Sequence, residues 1–177
     1  MVETAQMKRA DTFWKMLKGG DAPARYPFVP SIYEHGASLL GKSPGEVSRC
    51  ANLMAAAAIK GYATYQHDLV TVGIDLYNIE AEALGCTLSE GAGTSIPGVT
   101  THPLVDDTAL DPAGITIPTR GDSNRLDLLA DAAGQVVNEI SDEVWVYGCM
   151  GGPFSQAVEL RSFEKLIGDM FDSPDRV

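Results

Sequence analysis

The feature that most constrains this sequence is an alternation between short β-branched runs and long stretches of helical period. Leu69-Val-Thr-Val-Gly-Ile74 is short and β-branched enough for a buried parallel strand, and Val144-Trp-Val-Tyr-Gly-Cys149 predicts another strand. Tyr26-Pro-Phe-Val-Pro-Ser-Ile-Tyr33 predicts a further strand ahead of them, which Pro27 and Pro30 restrict to a short or edge position because proline gives no ladder donor. Between the runs lie helix signals. Ser43-Pro44-Gly45-Glu46 is a capping box with a first-turn proline, opening a helix predicted over 44–66 with a stripe at Val47, Ala51, Met54, Ala58, Tyr62 and Tyr65. Asp122-Ser-Asn124 caps a second, with Leu126, Leu129, Ala133, Val136 and Ile140 on one face. Pro153 opens a third, carrying Phe154, Ala157, Leu160, Leu166 and Met170.

Strand and helix in turn imply parallel strands joined by right-handed crossovers, in an open doubly wound sheet or in part of a (β/α)8 barrel. A complete barrel needs about 250 residues and eight strands, whereas this chain offers three candidate strands in 177 residues. Its last residues, Ser173-Pro-Asp-Arg-Val177, repeat the cap-and-proline grammar of residues 43–47. The expected fold is therefore α/β: a partial (β/α)8 TIM barrel of about the first three β/α units, the N-terminal portion of something larger. A helical arm precedes it in residues 1–25, with its helix over Thr4–Lys18 ending at Gly19-Gly20, and residues 26–177 form the barrel portion. From Cys86 to Gly121 the text is rich in Gly, Pro, Thr and Asp and has no strong period, which reads as an excursion with a functional or partner-facing role.

Charge and composition exclude several classes of partner. The net charge of −11 is spread along the chain and argues against nucleic acid or an anionic membrane as a partner. No apolar stretch approaches the roughly 20 residues that cross a bilayer. The opening residues do not read as a signal peptide, so the expected address is cytoplasmic. Cys50, Cys86 and Cys149 are widely separated and odd in number, which implies reduced thiols and no disulfide.

Residues at the C-terminal ends of strands are the site candidates, because that is where barrel sites lie. Asp75, Tyr77 and Asn78 follow the run at 69–74. Asp75 is a candidate for proton transfer and Tyr77 and Asn78 for hydrogen bonds to a polar substrate, while capping of the next short helix accounts equally well for Asp75 and Asn78. Glu80 is a further candidate, with Glu82 a first-turn carboxylate favoured by the helix dipole. Tyr33 and His35 follow the first expected strand, and Cys149 closes the third. Gly152, in Gly151-Gly-Pro153, places backbone N–H groups at a helix start where an anion binds readily, although a tight turn alone explains two glycines. The histidines and cysteines have no metal-ligand spacing, so no metal site is expected in this chain.

Three stretches carry a resemblance: Gly73-Ile-Asp-Leu-Tyr-Asn-Ile-Glu-Ala-Glu-Ala-Leu-Gly-Cys86, Gly151-Gly-Pro-Phe-Ser-Gln-Ala157 and Phe171-Asp-Ser-Pro-Asp-Arg-Val177. In this order they resemble the uroporphyrinogen decarboxylase superfamily, which includes the corrinoid-dependent methyltransferases. The resemblance implies a (β/α)8 barrel of which this chain holds the first strands. Decarboxylases of the family carry a Gln-Ala-Gly-Arg motif after the first strand, where this sequence reads Ser31-Ile-Tyr-Glu-His-Gly-Ala-Ser-Leu-Leu40 without the arginine. The methyltransferase branch is thereby the nearer one. It implies methyl transfer between a corrinoid and a thiol or methylated substrate, with zinc held by a His-x-Cys pair and a later Cys in the second half of the barrel, outside this chain. The expected partners are a small-molecule substrate, a second half-barrel or a second copy of the chain, and a corrinoid protein. Porphyrin-pathway decarboxylation by the complete protein is one alternative and a non-catalytic assembly or binding module another. A self-contained flavodoxin-like nucleotide-binding domain is a third, weakened by the lack of a glycine-rich phosphate loop after the first strand.

Overall fold

The two long helical stripes do become the walls of the fold. A computed structural model describes residues 11, 14–15, 17–20, 25–75, 77–89, 95–106, 114–122 and 124–176. Along these run α1 (His35–Leu39), α2 (Pro44–Val47), α3 (Ala51–Tyr65), β1 (Leu69–Val72), α4 (Asn78–Ala83), β2 (Thr87–Leu88), β3 (Val99–Thr101), α5 (Arg125–Ile140), β4 (Trp145–Gly148), α6 (Pro153–Arg161), α7 (Phe163–Asp172) and a closing 3-10 turn at Pro174–Arg176. Of the expected N-terminal helix, residues 11, 14, 15 and 17 are described and helical and Lys18 is a described turn residue; the rest lie outside the described set.

β1 and β4 are parallel neighbours, with Leu69 opposite Trp145, Val70 opposite Val146, Thr71 opposite Tyr147 and Val72 opposite Gly148. Side chains alternate across a strand. Val70, Val72, Val144 and Val146 therefore join one core with Met54, Ala55, Ala57 and Tyr62 of α3 and Ala132, Val136 and Ile140 of α5. The opposite face is only partly covered: Trp145 and Tyr147 are exposed, with the Trp145 indole donating to Asp11 Oδ1 at 3.1 Å and its ring 6.1 Å from that of Trp14. Close packing on the helical side relies on small residues, since a Cβ at Gly36 would sit 3.1 Å from the Ala57 methyl and one at Gly61 3.2 Å from Ile32 Cγ2. The excursion after α4 contains a short antiparallel pair, β2 with β3.

Three expectations fail locally. The segment 26–33 is not a strand. It is tied to the start of β1 by the Asp68 amide, which donates to the Phe28 carbonyl at 2.9 Å, while the Phe28 amide donates to the Asp68 carboxylate at 2.7 Å. With Pro27 and Pro30 unable to donate, no ladder forms among the described residues. The helix expected over 44–66 is two helices: α2 stops at Val47, and α3 restarts after Cys50, whose φ of −143° is extended. The capping box itself forms as expected, Ser43 and Glu46 satisfying each other's backbone amides. The helix expected from Pro153 is also two, broken at Ser162 in a positive-φ conformation (φ 72°). The break frees carbonyls at the end of α6, and the excursion takes them. Leu104 donates its amide to the Leu160 carbonyl at 2.9 Å, the Cys86 thiol donates to the Glu159 carbonyl at 3.2 Å, and His102 Nδ1 lies 2.6 Å from that same oxygen. Arg161 returns the contact by donating to the Leu104 and Val105 carbonyls.

Candidate functional site

Where β1 ends, the chain turns sharply, with φ of 129° at Gly73, 61° at Asp75 and 74° at Tyr77. Positive φ is unfavourable for residues with side chains and persists where surrounding contacts hold it. Here the contacts are polar. The Asp75 amide donates to Glu34 Oε1 at 3.0 Å, Asn78 Nδ2 donates to Asp75 Oδ1 at 2.5 Å, and Arg125 Nη2 donates to Asp75 Oδ2 at 2.6 Å. The Asp75 side chain is fully buried and that of Arg125 nearly so. Burial pushes the Asp75 carboxyl above its usual value of 3.8, against the opposing pull of Asn78 and Arg125. Asn78 also donates to the Pro97 carbonyl at 2.7 Å, which anchors the excursion.

Arg125, the first residue of α5, is the hub. Besides Asp75 it donates to Glu82 Oε2 at 3.1 Å and, through Nε, to the Ser48 carbonyl at 3.2 Å. That carbonyl is available because the helix is interrupted between α2 and α3. One guanidinium thus joins the end of β1, α4 and the α2–α3 junction, using the several donors of its planar fork.

Around this hub stand the other strand-end residues. Glu80 is buried, and its Oε1 accepts the Gly151 amide at 2.8 Å, fixing the chain just after β4. Tyr77 is half exposed, and its ring edge lies 3.1 Å from where a Cβ on Gly151 would be. The Tyr33 hydroxyl faces Cys149 Sγ at 3.9 Å; burial, then this contact, raise the pKa of the phenol. Gly152 is the exposed N-cap of α6 and has open space at its Cβ position. Asp75, Asn78, Glu80, Tyr77, Tyr33 and Cys149 are therefore gathered at the C-terminal ends of β1 and β4. His35 is set apart: it is exposed, with Nε2 2.6 Å from the Tyr65 hydroxyl at the far end of α3.

Reading the sequence missed Glu34, Arg125 and Gln156. Arg125 carried a signal, since a cation in the first turn of a helix opposes the helix dipole unless a carboxylate compensates it. Glu34 carried none, and Gln156 stood within the stretch 151–157 without a role of its own. Chemically the cluster offers phenols, a thiol and hydrogen-bonded carboxylates. Among the described residues no three His, Cys, Asp or Glu side chains are grouped to hold a metal ion. The zinc implied by the resemblance thus finds no ligand set here, and no step through a metal is assigned to these residues.

The uroporphyrinogen decarboxylase (URO-D) family matches residues 8–177. Among curated proteins no sequence matches. Among solved structures, a methyltransferase from Methanosarcina mazei superposes with a TM-score of 0.77 at 22% sequence identity, over 96% of this chain and 50% of that one. The chain thus spans about half the length of that methyltransferase, and the likeness is one of fold. Among the described residues no helix is long and apolar enough to cross a membrane.

Proposed function

Because the chain belongs to the uroporphyrinogen decarboxylase family, we propose that it supplies the first part of a (β/α)8 barrel whose site opens at the C-terminal ends of β1 and β4. The observation that carries this reading is the pairing of a closed face with a partly covered one, where Asp11 and Trp14 meet Trp145. α3 and α5 cover one side of β1 and β4, while Trp145 and Tyr147 on the other side stay exposed, as they would where further strands complete the barrel interior. The methyltransferase neighbour is about twice as long as the matched region, which leaves room for those strands.

In the completed barrel the activity is methyl transfer from or to a corrinoid, with a small thiol or methylated compound as the other substrate. Zinc, where used, is bound by residues outside the described part of this chain and would supply thiolate activation. Here Tyr33, Tyr77 and Cys149 line the substrate side, and Asp75, held by Arg125 and Asn78, fixes the strand-end turn that presents them. The lack of the decarboxylase-type arginine in residues 31–40 supports methyl transfer over decarboxylation. The partners are a small-molecule substrate, a complementary half-barrel and a corrinoid protein, in the cytoplasm.

The test joins mass and turnover. Light scattering of the purified 177 residues, alone and with a candidate complementary half, is read beside acrylamide quenching of Trp145 in a Trp14→Phe background. The reading expects no methyl transfer by the monomer, and protection of Trp145 with activity in the complex. Turnover by the monomer refutes it, as does an active complex that leaves Trp145 equally quenched.

A further inference from the structure

The cluster at the strand ends contains one group that nothing above uses. Gln156 lies in the first helical turns of α6, and both polar atoms of its side-chain amide are closed to solvent without a hydrogen-bond partner among the described residues. A buried amide left unpaired is destabilising, and a carboxamide brings two donors and an acceptor to be satisfied. Its position is well defined. The Gln156 amide nitrogen occupies the space a Cβ on Gly151 would fill, and the Tyr77 ring edge borders the same space at 3.1 Å. Gly151 is held in turn by Glu80. Gly151 and Gln156, both past the end of β4, are therefore held side by side. Beside them, Tyr77 is 49% exposed and sits on backbone at φ 74°, a conformation unfavourable for a residue with a side chain.

We infer that the Gln156 amide reads a ligand group that presents a hydrogen-bond donor and acceptor side by side, of the primary-carboxamide type, when the Tyr77 ring moves off Gly151. Such a group matches the amide donor to acceptor and acceptor to donor, which satisfies both orphaned atoms at once. An ion with acceptors only leaves the Gln156 oxygen unpaired. The inference rests on the proposed function only in taking the ends of β1 and β4 as the substrate side; its readouts need no turnover.

The experiment uses the full 177-residue chain, labelled with nitrogen-15, and follows the Gln156 side-chain NH2 signals, assigned by their loss in Gln156→Leu. Acetamide is the probe, with acetone and acetate as acceptor-only controls. Acetamide is expected to move the signals saturably and the controls not. In parallel, Gln156→Leu and Gln156→Met should each raise Tm by about 2–4 °C without ligand, the shift that removal of one orphaned polar group implies for a chain of this size. No saturable shift, an equal response to acetone or acetate, or a Tm that is unchanged or lower in both variants overturns the inference. Since a monomer without methyl-transfer activity gives the same spectra, failure here is distinct from failure of the half-barrel reading.

Discussion

Arg125→Met is the sharpest perturbation this structure offers, because it removes one charge from a buried pair and leaves the other in place. The Asp75 side chain is fully buried and, among the described residues, keeps only Asn78 as a side-chain donor once Arg125 is gone. Removing one partner of a buried ion pair costs about 3–5 kcal/mol, most of it the penalty of the stranded charge. The Glu82 arm adds little, since Glu82 is one-third exposed and also contacts Arg49. The expected loss is thus about 3–5 kcal/mol, measured by urea unfolding with an unchanged m-value. The pH dependence follows from linkage. Burial already raises the folded-state pKa of Asp75 above 3.8, and without Arg125 it rises further. Between the unfolded and the folded pKa the native state binds more protons, so stability falls as pH increases through that window. The variant's penalty should therefore be small near pH 4 and full at neutral pH. Asp75→Asn removes the charge, so the double variant should recover part of what Arg125→Met alone loses. A loss under about 1 kcal/mol, a penalty that does not grow with pH, or a double variant less stable than Arg125→Met would refute the reasoning.

Other expectations are smaller. Ser43→Ala should destabilise the chain by about 1 kcal/mol through loss of the cap on α2, read by thermal melting. The Glu46 carboxyl, held below 4.5 by hydrogen bonds from Ser43 and then by Lys42, should titrate below that value in carbon-13 NMR. Its contribution is present above the unfolded pKa and is lost as pH falls through the folded one. Burial pushes the Cys86 thiol up to about 11, so at pH 8 iodoacetamide should modify Cys50 and Cys149 well before Cys86, as mass mapping would show. Gly36→Val should cost about 1–3 kcal/mol in urea, because its Cβ already meets the Ala57 methyl at 3.1 Å.

The elements legible in the sequence were those decided by local pattern. The stripes of α3 and α5, the capping box at Ser43 and the β-branched runs of β1 and β4 each depend on neighbours within a few residues, and each formed. What escaped depended on tertiary partners. Residues 26–33 have strand-like composition, yet they meet β1 chiefly at Asp68, and two prolines leave the remainder without donors. The interruption between α2 and α3 is stabilised from 77 residues away, by the Arg125 bond to the Ser48 carbonyl. At the site, spacing brought Asp75, Tyr77, Asn78 and Glu80 to one strand end. The pattern could not reveal that Arg125 and Asn78 occupy both oxygens of Asp75, or that His35 pairs with Tyr65.

The break at Ser162 has a consequence for how the molecule opens. Because the carbonyls of Glu159 and Leu160 are taken by Cys86, His102 and Leu104, and Arg161 holds the Leu104 and Val105 carbonyls, neither the excursion nor the end of α6 can detach without the other losing its partners. The two should behave as one cooperative unit in native-state hydrogen exchange. The Leu104 and Ser162 amides would share an opening free energy although 58 positions separate them. A protease that nicks the excursion would then release the helix end along with it, so the segment richest in glycine and proline acts as a clasp on the fold's last helices.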